Sequence, residues 1–173
     1  GMDKKGEINN LTKILKPDVG VITNISYAHA KNFKNLKQIA LAKSEIMNNI
    51  KEGGSIVLNA DDSFYELFKK IAIKKKLKIY SFSIRKKNSN IKLNNIKKQK
   101  SKYKISIQIG NKTKSFLVSS NYQNFVKNML ATITVISIFK DVAKLNKNIF
   151  NDFKIPEGRG DISKIRINNK LIN

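Results

Sequence analysis

Residues 17–46, PDVGVITNISYAHAKNFKNLKQIALAKSEI, constrain the fold more than any other stretch. They open on a short β-branched run, Val19-Gly20-Val21-Ile22-Thr23, with a proline ahead of it and an asparagine behind. A run of that length without alternation is the mark of a buried strand in a parallel sheet. A polar crest follows, Asn24 to Ala30, holding the single histidine of the chain, His29. Then Leu36, Ile39, Ala40, Lys43, Ile46, Met47 and Ile50 recur at helical spacing. Ligands of open α/β sheets bind outside the carboxyl ends of strands. A strand running into Asn24 and His29, then into a helix with an inward lysine, predicts an active-site edge.

The flanking segments extend the pattern. Gly1–Lys16 reads as a loop and a short helix whose Glu7, Ile8, Leu11, Ile14 and Leu15 make one stripe. Gly53-Gly54 predicts an αL cap ending the helix after the central strand. Ser55–Asn59 is a second buried strand, and Ala60-Asp61-Asp62-Ser63 supplies cap chemistry for a helix to about Lys75. Leu77–Phe82 is a third strand. The order β-α-β-α-β predicts a doubly wound, mostly parallel α/β sheet with right-handed crossovers.

Beyond residue 85 the period changes. Asn90–Ile96 and Tyr103, Ile105, Ile107, Ile109 alternate with polar residues, and Gly110-Asn111 is a hairpin signal before Thr113–Val118. This predicts an antiparallel β excursion, with the charge run Lys97–Lys104 as a solvated turn. Residues 124–139 read as a buried helix, with a buried strand as the competing assignment. Asn148–Phe153 is a short helical turn. Pro156-Glu157-Gly158-Arg159-Gly160 is a tight loop, and Ile162–Ile172 is extended around a turn at Asn168-Asn169. The expected organisation is 1–85 for the βαβαβ part, 86–120 for the hairpins and 121–173 for a helix and closing strands. The abrupt start and end are those expected of a fragment.

Composition narrows the function classes. The chain has no cysteine, so disulfides and thiolate metal sites are excluded, which fits a cytoplasmic protein. Nothing approaches the roughly 20 consecutive apolar residues of a membrane span, and Gly1–Lys5 opens no secretory signal. The net charge of +23 raises a nucleic-acid or anionic-membrane partner. Lysine, asparagine and isoleucine are abundant together, however, arginine is limited to Arg85, Arg159 and Arg166, and the lysines are spread out. Base readers and phosphate clamps favour arginine for its bidentate fork. The charge therefore reads as codon composition, and a nucleic-acid partner is not expected.

Single residues carry less. A lone histidine such as His29 is more often a satisfied side chain than a ligand. Lys43 lies within an apolar helix face, where a lysine snorkels, contacts phosphate or is modified. Arg159 between glycines suits an anion, because the flanking residues let a phosphate approach the backbone. No GxxxxGK[ST] cradle occurs. By themselves these residues define an α/β domain with a polar strand-end cluster and name no reaction.

Their combination resembles a known family. GEINNL, then PDVGVITNISYAH with Phe33 four residues after His29, then IALAKSEI, then GGSIVLNADD, is similar to the central ATP-binding domain of the Mur ligases. Asn128-Met129-Leu130-Ala131 resembles the end of that family's GxHNxxNxLAA helix, and GRGDI with KLIN resembles the segment leading to its DSYNANP motif. The likeness runs in order over nearly the whole chain. It is strongest to the branch that adds D-Ala-D-Ala to UDP-MurNAc-tripeptide. The alternatives are another Mur-type ligase such as MurE, a folylpolyglutamate synthase, or a basic nucleic-acid-binding domain.

The resemblance implies ATP and two Mg²⁺ ions as cofactors, those two peptidoglycan precursors as substrates, and a monomeric enzyme. His29 falls on the family's magnesium-binding histidine. Lys43 falls on the lysine that is carbamylated, which turns a cation into an oxygen ligand. Asn128 falls on the adenine contact, Arg159 on a nucleotide contact, and Asn24 on the strand end near the metal and phosphates. Departures are visible. Tyr122, Asn124 and Phe125 stand where the family has Gly, His and Asn. The P-loop, the Glu expected ahead of Gly1, the DSYNANP motif and the C-terminal domain have no counterpart here. The 173 residues are therefore not expected to turn over ATP alone.

Overall fold

The computed structural model describes residues 2–27, 32–86 and 88–153, together with the backbone of strands at 165–167 and 170–172. Six strands follow one another across a single sheet in chain order: β1 (Val19–Ile22), β2 (Ser55–Asn59), β3 (Lys78–Ser83), β4 (Ile91–Gln99), β5 (Lys102–Ile109) and β6 (Lys112–Val118). β1, β2 and β3 are parallel, with Val21 opposite Val57 and Val57 opposite Tyr80. β4 joins parallel to β3 only through Phe82–Ile91 and Ser83–Lys92, then pairs antiparallel with β5, as β5 does with β6. The helices are α1 (Glu7–Leu15), α2 (Leu36–Ser44), α3 (Tyr65–Lys74) and α4 (Gln123–Phe139). A short antiparallel pair, β7 (Ile165–Ile167) and β8 (Lys170–Ile172), agrees with the extended reading there.

The sheet is covered on both faces where it is parallel. Ile56 and Leu58 of β2 share a core with Ala40 of α2, Met47, and Phe68 and Ala72 of α3. Val57, pointing the other way, shares one with Phe82, Ile105, Phe116 and with Met129, Leu130 and Ile133 of α4. All five residues of β2 are buried, the apolar Ile56, Val57 and Leu58 and the polar Ser55 and Asn59 that bound them. Residues 123–139 are helical, so the competing strand assignment falls. The length decides it, since 17 residues exceed an ordinary strand.

Other expectations need correction. The helix beginning at Leu36 ends as a tight 3-10 turn, Glu45–Asn48, with Asn49 as its cap. Gly53 does adopt a positive φ of 72°, but in the turn beyond. A Cβ on Gly54 would lie 2.7 Å from Asp18 O and 2.8 Å from Lys51 O, so that position is glycine for close backbone approach. The run Lys97–Lys104 does hold a turn, but only at Lys100 and Ser101. Lys97, Lys98 and Gln99 extend β4 against Lys104, Tyr103 and Lys102 of β5. Long lysine stems tolerate an exposed sheet face, so charge did not end the strand. In α1 the stripe faces mostly outward: Leu11, Ile14 and Leu15 are exposed. A polar seam docks this helix instead. The Glu45 carboxylate accepts from the amides of Gly6 (2.8 and 3.0 Å) and Asn9 (3.2 Å). Asn49 Nδ2 donates to Thr12 Oγ1 at 2.8 Å.

Candidate functional site

The parallel strands end together, so the segments leaving β1, β2 and β3 share one edge. These are Thr23–Ile25, Asn59–Asp62 and Ile84–Lys86. α2 returns over this edge because Asn35 caps its start, accepting the Gln38 amide at 3.0 Å. Ile39 and Ala42 of α2 are buried with Met2, against Ile8, Ile25, Phe33 and Leu36. That small apolar cluster sets the rotation of the helix and so directs Lys43.

Lys43 is half-buried, and its Nζ donates to the carbonyl oxygen of Asn24 at 2.9 Å. Two of the five sequence-derived candidates therefore meet, through the backbone of Asn24, whose residue is otherwise exposed. Burial pulls the Lys43 pKa below its ordinary value because desolvation penalises the ammonium, and the charge of Asp62 partly opposes this. The amine is thus easier to deprotonate than a surface lysine. Asn128 lies exposed on α4, which packs on the opposite face of the sheet. Among the described residues no hydrogen bond joins it to the Lys43 corner. His29 and Arg159 lie outside the described residues.

The residues that sequence reasoning underrated are Asn59, Asp61 and Asp62. Asn59 Nδ2 donates to Thr23 O at 3.1 Å. Asp62 accepts the Ile25 amide at 2.9 Å on one oxygen and the Phe64 amide at 2.9 Å on the other. Asp61 accepts the amides of Ile84 (2.6 Å), Arg85 (3.2 Å) and Lys86 (3.0 Å). Cap chemistry was the sequence-based expectation. Of this, only the Asp62–Phe64 bond lies at the start of α3, and the N-cap position itself is Phe64 without a side-chain bond. The available signal was two adjacent carboxylates directly at a strand exit.

The donor set bears on a metal. Among the described residues no group of three His, Cys, Asp or Glu side chains could hold an ion. The carboxylates of Asp61 and Asp62 are already engaged with backbone amides. A polar cavity of about 390 Å³ lined by Ser81, Asn88, Ser89, Asn90 and Gly110 contains none of the candidate residues.

Comparison with known proteins adds an independent line. The family model of the Mur ligase middle domain matches residues 1–136. The UDP-N-acetylmuramoyl-tripeptide–D-alanyl-D-alanine ligase of Rickettsia prowazekii is 32% identical across 99% of this chain, which spans 38% of that protein. Crystal structure I of MurF from Acinetobacter baumannii superposes with a TM-score of 0.80 at 22% identity, over 99% of this chain and 36% of that one. MurF ligase from Thermotoga maritima in complex with ADP gives 0.66 at 20% identity, over 79% and 31%. The chain thus spans about a third of the length of these relatives, 31–38%.

Proposed function

This chain belongs to the Mur ligase family through its middle domain, and from that premise we propose that it is the nucleotide-binding part of an ATP-dependent carboxylate–amine ligase. The substrates proposed are UDP-MurNAc-tripeptide and D-Ala-D-Ala, those in the name of the Rickettsia relative. In such a reaction the γ-phosphoryl group passes to the terminal carboxylate, because a carboxylate is a poor electrophile. The amine of D-Ala-D-Ala then displaces phosphate and forms the amide. Magnesium, when bound, would neutralise charge on the phosphates.

The observation that carries this reading is Lys43, a half-buried amine aimed into the exit of β1 at the carboxyl edge of a parallel sheet. Its lowered pKa raises the fraction of free amine, the form that can add CO₂ to give a carbamate and release a proton. An anionic carbamate there, with His29, would provide oxygen and nitrogen ligands to magnesium, while the amine form would meet a phosphate directly. Asn24 would order the same corner. Asn128 is proposed for the adenine and Arg159 for the phosphates or ribose.

The test is calorimetric titration of the chain with ADP in magnesium buffer, followed by phosphate release in the presence of all three substrates. The expected result is ADP binding that Lys43→Met weakens, with no turnover by the 173 residues alone. No binding by the unmodified chain, or binding indifferent to Lys43, would overturn the proposal. Carbon-13 bicarbonate exchange monitored by NMR separates a carbamylated Lys43 from a plain amine.

A further inference from the structure

We infer that the adjacent carboxylates Asp61 and Asp62 are a pair of positioning residues that hold the exits of β1 and β3 at fixed places on either side of β2. The geometry is divergent. From one turn of chain, Asp62 reaches back to the Ile25 amide beyond β1, and Asp61 reaches forward to three consecutive amides, Ile84, Arg85 and Lys86, beyond β3. The two exits are more than 50 residues apart in sequence yet flank the same strand end.

Each contact has a physical reason to be strong and oriented. Backbone amides that leave a strand lose their ladder partners, and a carboxylate is the best acceptor for them. Both oxygens of Asp62 are used, one on Ile25 and one on Phe64, so the side chain cannot rotate without breaking a bond. Three successive amides converging on Asp61 form the concave arrangement that backbone uses to hold an anion. The β1 exit is additionally tied by Asn59 Nδ2 to Thr23 O, one residue before the carbonyl that receives Lys43. Thr23, Asn24 and Ile25 are thus held in turn by Asn59, Lys43 and Asp62, from three places in the sequence. Fixing Ile25 through Asp62 fixes the carbonyl that orients Lys43. Asp61 serves the other exit and has no such path to Lys43. The pair is therefore expected to separate into two independent effects.

Amine labelling resolved lysine by lysine through peptide mass spectrometry, with amide hydrogen exchange, tests this on the whole chain. Asp62→Asn keeps the shape of the side chain but leaves only one acceptor for two amides. It is expected to raise the labelling rate of Lys43 on the order of three- to tenfold. Part of this rise comes from losing the Asp62 charge, which favours the ammonium. The deciding variant is therefore Asp62→Glu, which keeps the charge and displaces the oxygens. Lys51, Lys97 and the amides at 84–86 should be unchanged. Asp61→Asn should speed exchange at Ile84, Arg85 and Lys86 and leave Lys43 as it was. Unchanged Lys43 labelling in Asp62→Asn, or an equal rise in both Asn variants, overturns the assignment and reduces the pair to general stability. Asp62→Glu, with charge and both oxygens kept but displaced, must show the same selective change. A rise in Asp62→Asn alone would assign the effect to charge and overturn the positioning role. Labelling requires no nucleotide, so failure here is distinct from failure of the ligase reading.

Discussion

The parallel and antiparallel halves of this molecule share one sheet but solve burial differently. β2 is buried at every residue between α2 and α3 on one side and α4 on the other. β4 is largely exposed beyond Ile91, and β5 turns only Tyr103, Ile105, Ile107 and Ile109 toward the core under α4. On the reverse face Ser106 and Ser115 meet across strands at 2.9 Å, flanked by the pairs Lys104–Leu117 and Gln108–Thr113. Two covered faces keep β1 and the middle of β2 apolar and require the buried Ser81 and Ser83 hydroxyls of β3 to be hydrogen-bonded. Free polar chemistry therefore gathers where the strands end. A partly open face lets β4 and the ends of β5 and β6 carry lysines. The site belongs to the first half because only there do several chain segments finish at one edge.

The largest expected effect comes from exchanging these rules. Ile56→Lys places a charge between two covered faces, which costs several kcal/mol against a total of about 5–15 kcal/mol for a domain. It should leave the chain unfolded by circular dichroism, whereas Lys97→Ile on exposed β4 should shift urea stability by less than about 0.5 kcal/mol. Equal effects would remove the distinction between the halves.

Glu45→Ala comes next. It strips the acceptor from the Gly6 and Asn9 amides and should cost about 1.5–3 kcal/mol locally. Hydrogen exchange should quicken in α1 while β4–β6 keep their protection. Spread of the effect into the hairpins would show that the two halves are coupled through α1.

A smaller effect follows from Lys43, whose folded pKa lies below the usual 10.5. Between the two values the unfolded chain binds more protons, so this group makes stability rise with pH in that window. Below the folded pKa the full desolvation penalty is present. Lys43→Met should remove this part of the slope in urea titrations run from neutral pH to about 10.5. A slope identical to the parent would show that the amine is not desolvated. Among changes that remove a contact, the smallest effect is that of Asp18→Asn. Asp18 pairs with Lys51 at 2.9 Å, but both side chains are more than half exposed. A loss of about 0–1 kcal/mol that vanishes in high salt is expected from thermal melts.

Much of this was legible before any coordinates. The Ser55–Asn59 strand matches the predicted span, and the change from unbroken to alternating apolarity marks the border between the two halves. Gly110-Asn111 turns the hairpin as expected, with Gly110 at φ 54°. Helical spacing does not reveal which side of a helix faces inward when the docking is polar. α1 therefore came out with its stripe exposed. Nor does charge density fix the length of a turn when side chains are long, so β4 and β5 run on through the lysines to within two residues of each other.

The chain alone determined the periodicities, the strand-to-helix order and the presence of a lysine on the inner side of its helix, because these depend on neighbours within a few residues. Tertiary structure alone decided that Lys43 meets Asn24, and that Asp61 and Asp62 grip opposite strand exits rather than simply starting a helix. Those contacts join residues 19 to 37 positions apart, and which partners meet is set by strand order and register. No local pattern encodes that.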